Sequence, residues 1–438
     1  MQVRAGKLWI VLVALMAAPV ITRGAEAPFC APVDADGQHD KSSQDSVRLA
    51  TFNVSLNRQA PGQLLADMQD VRDQLSGSDS SDKQIKAVAE ILQRIRPDIV
   101  LLNEFDYDIN GEALRLFLEN YLGTSQNGQL PIDYDHHFLA EVNTGVGSGV
   151  DLNNDGRIGG PEDSYGYGEF PGQYGMAVLS RFPIVTQDIR TFSSFLWKDM
   201  PGALLPDDPA TVAAVDWYSS AELELLRLSS KSHWDVPVRT GGEVLHVLMA
   251  HPTPPGFDGP EDRNGRRNHD EIRFWADYVR GDTGAGYIYD DSGRRGGLAD
   301  SDKFVILGDY NSDMYDGDSF DHAIAQLLDH PRINAGVAPS SNGAVADSLN
   351  AQKVNALHKG NPALDTADFN PDGPGNLRVD YVLPSANIRV ACGGVFWPSP
   401  GDDSYYLVGP GFPVVSSDHH LVWLDVVLSA PRELTDEK

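Results

Sequence analysis

Cysteine is almost missing from this chain of 438 residues, which holds Cys30 and Cys392 and no other. So sparse a supply excludes a disulfide-dense scaffold and a metal centre built from several thiolates. In an oxidising compartment the two could bridge, tying the start of the mature chain to a late strand; two free buried thiols are the other reading. Basic residues are also few: 34 Lys and Arg stand against 63 Asp and Glu, a formal net charge of −29. That field repels polyanions at long range and argues against general DNA binding. A nuclease is not excluded, because a bound cation reverses the sign locally. Solubility is the simpler reason for the charge. Long apolar runs are absent with one exception, Leu8 to Val20. Arg4 and Lys7 precede it, and Ala25 and Ala27 follow at the spacing of a cleavage site. This is the layout of a secretory signal over residues 1–27, too short for a comfortable membrane span. The mature protein is therefore expected to be secreted or periplasmic, without stable membrane insertion. No repeat or low-complexity tract is present, and nothing points to a protein partner.

What is there reads as one α/β domain. Residues 28–45 are rich in Pro, Asp, Gly and Ser and read as a flexible lead-in. Residues 46–430 read as a single domain with long loop insertions. "SVRLATFNVS" alternates like a strand, and residues 82–96 carry Ile85, Val88, Ala89, Leu92 and Ile95 at helical spacing. Asp82 sits at the N-cap position, and Pro97 ends the helix. "DIVLLNEFD" is apolar throughout, as a strand buried on both faces requires. Further strands are predicted over 175–184, 243–252, 303–311, 378–385 and 420–429, with a helix over 268–279. The irregular segments at 142–173, 193–230, 253–267 and 280–301 are long enough to carry function.

Short polar residues gather at the ends of these strands. Asn53 ends the first and Glu104 the second; His251 follows "VLMA", and Asp309 and Asn311 follow "FVILG". Asp380 interrupts "RVDYV", and Asp418 and His419 precede the last strand. One such residue is ordinarily a loop residue or a cap. A series of them marks the place where sites form in α/β sheets. The set offers carboxylates, amides and imidazoles, and no serine or cysteine nucleophile stands out. Carboxylate and amide oxygens suit hard ions such as Mg²⁺, Mn²⁺ or Ca²⁺. An imidazole can donate to a phosphoryl oxygen, and a carboxylate can orient or deprotonate water. This is the equipment of phosphoester hydrolysis without a covalent intermediate.

The ordered series "TFNV", "DIVLLNE", "GMAVLSRFPI", "VLMAHP", "VILGDYN", "RVDYV" and "SSDHH" resembles the endonuclease/exonuclease/phosphatase superfamily. That group includes pancreatic-type deoxyribonucleases, abasic-site endonucleases, bacterial sphingomyelinases and inositol polyphosphate phosphatases. The resemblance covers residues 51–420. It implies a deoxyribonuclease-like fold, a four-layer α/β sandwich of two packed mixed β-sheets flanked by helices. It implies a catalytic Mg²⁺ or Mn²⁺ with Glu104 as principal ligand, Asn53 supporting it and Asp418 as a neighbouring ligand or orienting acid. Asp309 resembles the residue that orients or deprotonates the water, and Asn311 one that contacts the transition state. His419 resembles the imidazole on the transferred phosphoryl group, Asp380 the carboxylate paired with it, and His251 a second phosphate-facing histidine. Two positions depart from the pattern. Ser55 stands where abasic-site members carry Asp, and Asn103 stands where many members carry Gln before the metal-binding Glu.

A second ion site is expected in the first long insertion. "DLNNDGRIGGPE" places Asp151, Asn153, Asp155, Gly156 and Glu162 at the first, third, fifth, sixth and twelfth positions of a calcium loop. Its flanks are Gly- and Pro-rich, so this would be an isolated Ca²⁺ loop; an Asp/Asn/Gly turn is the alternative. "DFNPDG" repeats half of the pattern and reads as a turn. Lys231 and His233 precede a strand and read as its solvated end, although they could face an anion. Arg263, Arg266 and Arg267 form a rare basic cluster that could grip a phosphate or pair with nearby acids. The expected protein is thus a secreted, divalent-metal-dependent phosphoesterase of mono- or diesters, acting on a small molecule, a lipid headgroup or a nucleic acid. An extracellular nuclease is the alternative within that class. A calcium-binding secreted protein that kept the fold and lost activity is the alternative outside it.

Overall fold

The computed structural model describes residues 25–26, 46–69, 80–281, 284–409 and 414–428. Most of the expected signal segment, the lead-in and Cys30 lie outside the described residues. Cys392 is disulfide-bonded.

The principal strands are β1 (Ser46–Leu56), β2 (Ile99–Phe105), β3 (His136–Leu139), β4 (Met176–Ser180), β5 (Arg190–Thr191) and β6 (His233–Thr240). They continue as β7 (Glu243–Ala250), β8 (Lys303–Asp309), β9 (Asp380–Pro384), β10 (Arg389–Val395) and β11 (Val422–Val427). One sheet has the order β10-β11-β1-β2-β4-β3 and the other β9-β8-β7-β6-β5. Both are mixed. β1 and β2 run parallel, as do β7 and β8, and the other neighbours are antiparallel. Each parallel pair needs a crossover. The helix α1 (Ser80–Ile95) lies in the first, and α2 (Arg263–Val279) in the second.

Period-2 side-chain alternation explains why the sheets stack. In the second sheet Val236, Val247, Met249, Val305, Leu307 and Val382 join one core with the strands of the first sheet. Their neighbours Leu248, Ala250, Phe304, Ile306, Tyr381 and Leu383 point the other way and pack with Ile272, Phe274 and Trp275 of α2. On the far side of the first sheet, Ile85, Val88, Ala89, Leu92 and Ile95 of α1 are fully buried. Helix, sheet, sheet and helix therefore form four layers held by two apolar clusters, the sandwich that the family resemblance implied. α1 begins two residues before the expected cap and ends at Ile95, where Arg96, with a φ of +53°, leads into Pro97. α2 begins five residues before the expected start, so the basic cluster 263–267 occupies its first turns. The edge strand β10 was not anticipated, because "RVACGGV" holds two glycines and little alternation.

His233 is the first residue of β6 and 1% exposed, not a solvated strand end. The reason is its partners: Ser229 Oγ lies 2.6 Å from Nδ1, Nε2 donates to Glu271 O at 2.9 Å, and the ring packs on Phe274 and Trp275. Burial pushes its pKa down to about 4 from 6.5. A depressed histidine favours the fold while neutral. Its contribution is complete above the unfolded value and is lost as pH falls from 6.5 towards 4. Between pH 7.5 and 5 that loss is about 2 kcal/mol. Urea unfolding of wild type and His233→Gln at both pH values measures it. The wild type should lose about 2 kcal/mol more than the variant over that interval, and equal slopes would refute the assignment.

Candidate active site

The C-terminal ends of β1, β2, β7 and β8 meet the N-terminal ends of β9 and β11 at one edge of the sandwich. Asn53 and Glu104 lie near the ends of β1 and β2, His251 follows β7, and Asp309 is the last residue of β8. Asp380 opens β9 directly across from Asp309. Asp418 and His419 occupy the turn before β11. All eight predicted residues of the catalytic and metal set line this edge. Gly308 allows the close approach of β8 to β7, since a Cβ there would lie 2.1 Å from Ala250 O. Ser55, Glu104 and Asn311 adopt φ of +48°, +58° and +50°. Three left-handed residues at strand ends store strain of about 1 kcal/mol or more each, as functional sites do.

Asp309 is the hub. Its Oδ1 accepts Asn311 N at 2.9 Å. Its Oδ2 accepts Asn53 Nδ2 at 3.1 Å and lies 3.4 Å from His251 Nε2 and 3.6 Å from His419 Nε2. The same Asn53 amide donates to Glu104 Oε1 at 3.0 Å, so one side chain fixes both carboxylates. Asn311 Nδ2 donates to Pro252 O at 3.2 Å, which ties the Asp309 loop to the His251 loop. Ser417 Oγ donates to Asn53 O at 2.7 Å and accepts His419 N at 3.1 Å. The turn bearing Asp418 and His419 is thereby pinned to β1.

The two departures find partners of their own. Ser55 Oγ donates to Asp418 Oδ1 at 3.0 Å, so the shorter side chain holds a carboxylate rather than supplying one. Asn103 Oδ1 accepts Thr51 Oγ1 at 3.3 Å and Asp309 N at 3.4 Å. Asn103 thus supports Asp309, while no hydrogen bond among the described residues joins it to Glu104.

His419 is oriented by a buried relay. Its Nδ1 donates to Asp380 Oδ2 at 2.9 Å, and Thr366 Oγ1 donates to the same oxygen at 2.8 Å. Thr366 Oγ1 itself accepts the backbone N–H of Val379 and Asp380, so its proton is committed to Asp380. Nδ1 of His419 must therefore carry hydrogen. Burial disfavours the charged ring, but the carboxylates of Asp380 and Asp309 outweigh it and hold His419 well above the ordinary histidine value. Its Nε2 is then also a donor, aimed at Asp309. Burial and the nearby Lys231 ammonium drive His251 the other way, well below 6.5. Burial raises Asp309 to about 6 against the pull of His419. It also raises Glu104, opposed by the hydrogen bond from Asn53 and reinforced by Asp418.

These groups open on a cavity of about 800 Å³ whose wall includes Lys231, Tyr174 and Arg267 beside the site residues. The donor set fits a hard cation. Glu104 is a half-buried carboxylate with one hydrogen bond, next to the half-buried carboxylate of Asp418, and such a pair is costly without positive charge. Asp309, Asp380 and His419 also bring ligand-type atoms within 4.8 Å of one another. The Nδ1–Asp380 hydrogen bond already commits two of those three groups to each other, so the Glu104–Asp418 side is the better seat.

The expected calcium loop borders the same cavity through Leu152 and Glu162. Asp155 N and Gly156 N donate to Asp151 at 3.1 and 2.8 Å, and Gly156 takes a φ of +83°. Glu162 lies 3.7 Å from Arg263 Nη2, while Asp163 turns inward to accept Leu152 N and Gly159 N. Among the described residues, Asp151, Asp155 and Glu162 are not a group whose ligand atoms converge. Of the basic cluster, Arg267 donates to the backbone carbonyls of Leu228, Tyr165 and Arg227. Arg263 pairs with Glu261. Sequence reasoning missed Thr366 and Glu271, which are polar residues in segments with no strand-end signal.

The layers, the strand-end position of the site and its carboxylate–imidazole composition define a class, the α/β-sandwich hydrolases. The chain belongs to the Endonuclease/Exonuclease/phosphatase family, whose sequence model matches residues 50–419. No curated protein matches it in sequence. Similar solved structures include the endonuclease/exonuclease/phosphatase from Beutenbergia cavernae DSM 12333, at 16% identity over 88% of this chain and 72% of that one, with a TM-score of 0.44. Beta toxin from Staphylococcus aureus is 13% identical over 86% of this chain and 99% of its own, with a TM-score of 0.41. A mannosyl-6-phosphatase from Bacteroides thetaiotaomicron VPI-5482 is 13% identical over 87% of this chain and 100% of its own, with a TM-score of 0.39.

Proposed function

We propose that this chain is an exported, divalent-metal-dependent phosphoesterase that hydrolyses phosphomono- or phosphodiesters by direct attack of water. The observation that carries the reading is Asp309, a buried carboxylate whose Oδ2 sits within 3.6 Å of two imidazole nitrogens and accepts Asn53 Nδ2. In the step proposed, water adds to phosphorus as the ester P–O bond breaks. Asp309 orients the water and takes its proton; with a pKa of about 6 it is ionised at neutral pH yet basic enough to do so. His419, held as a donor by Asp380, steadies negative charge on the phosphoryl oxygens. A proton from solvent completes the leaving alcohol. Glu104 and Asp418, with Asn53 in support, would hold Mg²⁺ or Mn²⁺, whose chemistry is to draw negative charge off the phosphoryl group.

The net charge of −29 favours small phosphoesters or lipid headgroups over long polyanions. Chelation followed by readdition tests the reading. With bis(p-nitrophenyl) phosphate and Mn²⁺, turnover should fall at least about 10³-fold in EDTA and return when the ion is restored. A side-by-side assay on duplex DNA and RNA separates the nuclease alternative. Undiminished turnover after complete chelation would overturn the metal requirement. Binding of Ca²⁺ without cleavage of any phosphoester would favour the inactive calcium-binding alternative.

A further inference from the structure

We propose that Lys231 is a catalytic residue of this site, its ammonium gripping a non-bridging oxygen of the phosphoryl group under attack. The inference rests on the phosphoesterase reading and adds a group to it. Lys231 is 6% exposed, yet it lines the cavity with Glu104, His251 and Asp309. Among the described residues its Nζ makes no hydrogen bond and no ion pair. A lysine so buried and unpaired is costly, because its hydration is lost and no carboxylate within bonding distance replaces it. Burial pulls its pKa down, against the pull of Glu271, Glu104 and Asp309. A cation held at such cost beside a cavity is set to receive an anion that arrives from outside.

The surrounding chain is built to keep it there. Glu271, on α2 and 1% exposed, spends one carboxylate oxygen on Ser230 N and the other on Thr253 N, each at 2.6 Å. Ser230 immediately precedes Lys231, and Thr253 is two residues beyond His251. One helix carboxylate therefore staples the lysine segment to the histidine loop, while both its oxygens are taken by backbone. From the other side, Gly166 of the first insertion packs so closely that a Cβ would lie 1.8 Å from Ser230 O. The insertion, the strand entry and α2 thus fix Lys231 beside His251, and both face the same space. A dianionic or anionic phosphoryl group entering that space meets Lys231, His251 and His419 together.

The test compares wild type, Lys231→Met and Lys231→Arg. It follows hydrolysis of bis(p-nitrophenyl) phosphate, competitive inhibition by inorganic phosphate and the thermal midpoint. Methionine keeps the length and removes the charge. Lys231→Met should cut kcat/KM about 100-fold, the scale of losing one oxyanion donor. It should also weaken phosphate inhibition at least about tenfold while the midpoint holds or rises, because an unpaired buried charge has been removed. Lys231→Arg should recover part of the phosphate affinity. Activity and inhibition within threefold of wild type in Lys231→Met would overturn the proposal. A lowered midpoint with unchanged phosphate inhibition would also overturn it, as a structural role would. If the wild type hydrolyses no phosphoester, the broader reading fails on its own. Calorimetric titration of inorganic phosphate then decides for Lys231, with weaker binding by the methionine variant supporting it and equal binding overturning it.

Discussion

Asp309→Asn is expected to lower kcat for phosphoester hydrolysis by about 10⁴-fold, the upper range for loss of a positioned general base. The site gives the reason. Oδ2 of Asp309 is where Asn53 Nδ2 and two imidazole nitrogens converge, and in the proposed mechanism it is the oxygen that holds and deprotonates the water. Asparagine keeps the volume but offers one acceptor. If its oxygen stays with Asn311 N, its amide nitrogen faces the donor of Asn53 and the Nε2 donor of His419. No arrangement of an amide satisfies all of these groups. Asp309→Ala lacks that donor clash and provides the control, since both variants should be equally inactive if the carboxylate itself is needed. Steady-state kinetics at saturating Mn²⁺ would decide. A variant retaining more than a tenth of wild-type kcat would remove Asp309 from the role of base.

Most of this constellation is visible in the sequence because it is written in strand ends. Apolar runs such as "DIVLL" and "FVILG" can only be buried strands, and the first polar residue beyond each must emerge at an edge. That logic places Asn53, Glu104, His251 and Asp309 from the sequence alone. Spacing alone does not show that Asp380 pairs with Asp309 across β9 and β8, nor that His419 reaches both. Those contacts join residues 39 to 110 positions apart through sheet register, which depends on the whole fold.

Lys231 shows where the sequence stops being informative. A lysine before a strand is ordinarily solvated, and its own neighbours give no other sign. What fixes the segment before it is Glu271, 41 residues beyond Ser230, which holds Ser230 N and Thr253 N together. Two of the three arginines are committed elsewhere for a related reason. In sequence they resemble a phosphate grip, but Arg267 is spent on three backbone carbonyls and Arg263 on Glu261. A free cation and a committed one carry the same letter; only the count of acceptors around each tells them apart.

Asp380→Asn is expected to reduce kcat by about 10²- to 10³-fold with little change in KM, the loss that follows when an oxyanion-stabilising donor is weakened. Asp380 Oδ2 receives both the Thr366 hydroxyl and His419 Nδ1–H, and the carboxylate's charge is what keeps the ring protonated. An amide oxygen can accept the same two hydrogens, so the ring orientation survives while the charge that favours imidazolium is gone. His419→Gln should fall further, because the donor itself is lost. The comparison also separates two uses of the Asp309–Asp380–His419 group, whose ligand atoms lie within 4.8 Å of one another. If the three held the cation, Asp380→Asn would raise the Mn²⁺ concentration needed for half-maximal rate and saturating ion would restore kcat. If Asp380 serves His419, half-saturation stays near the wild-type value and kcat stays low at any ion concentration. Glu104→Gln should show the opposite pattern, a large shift in half-saturating Mn²⁺, because its carboxylate and that of Asp418 are the acids left without partners enough to neutralise them.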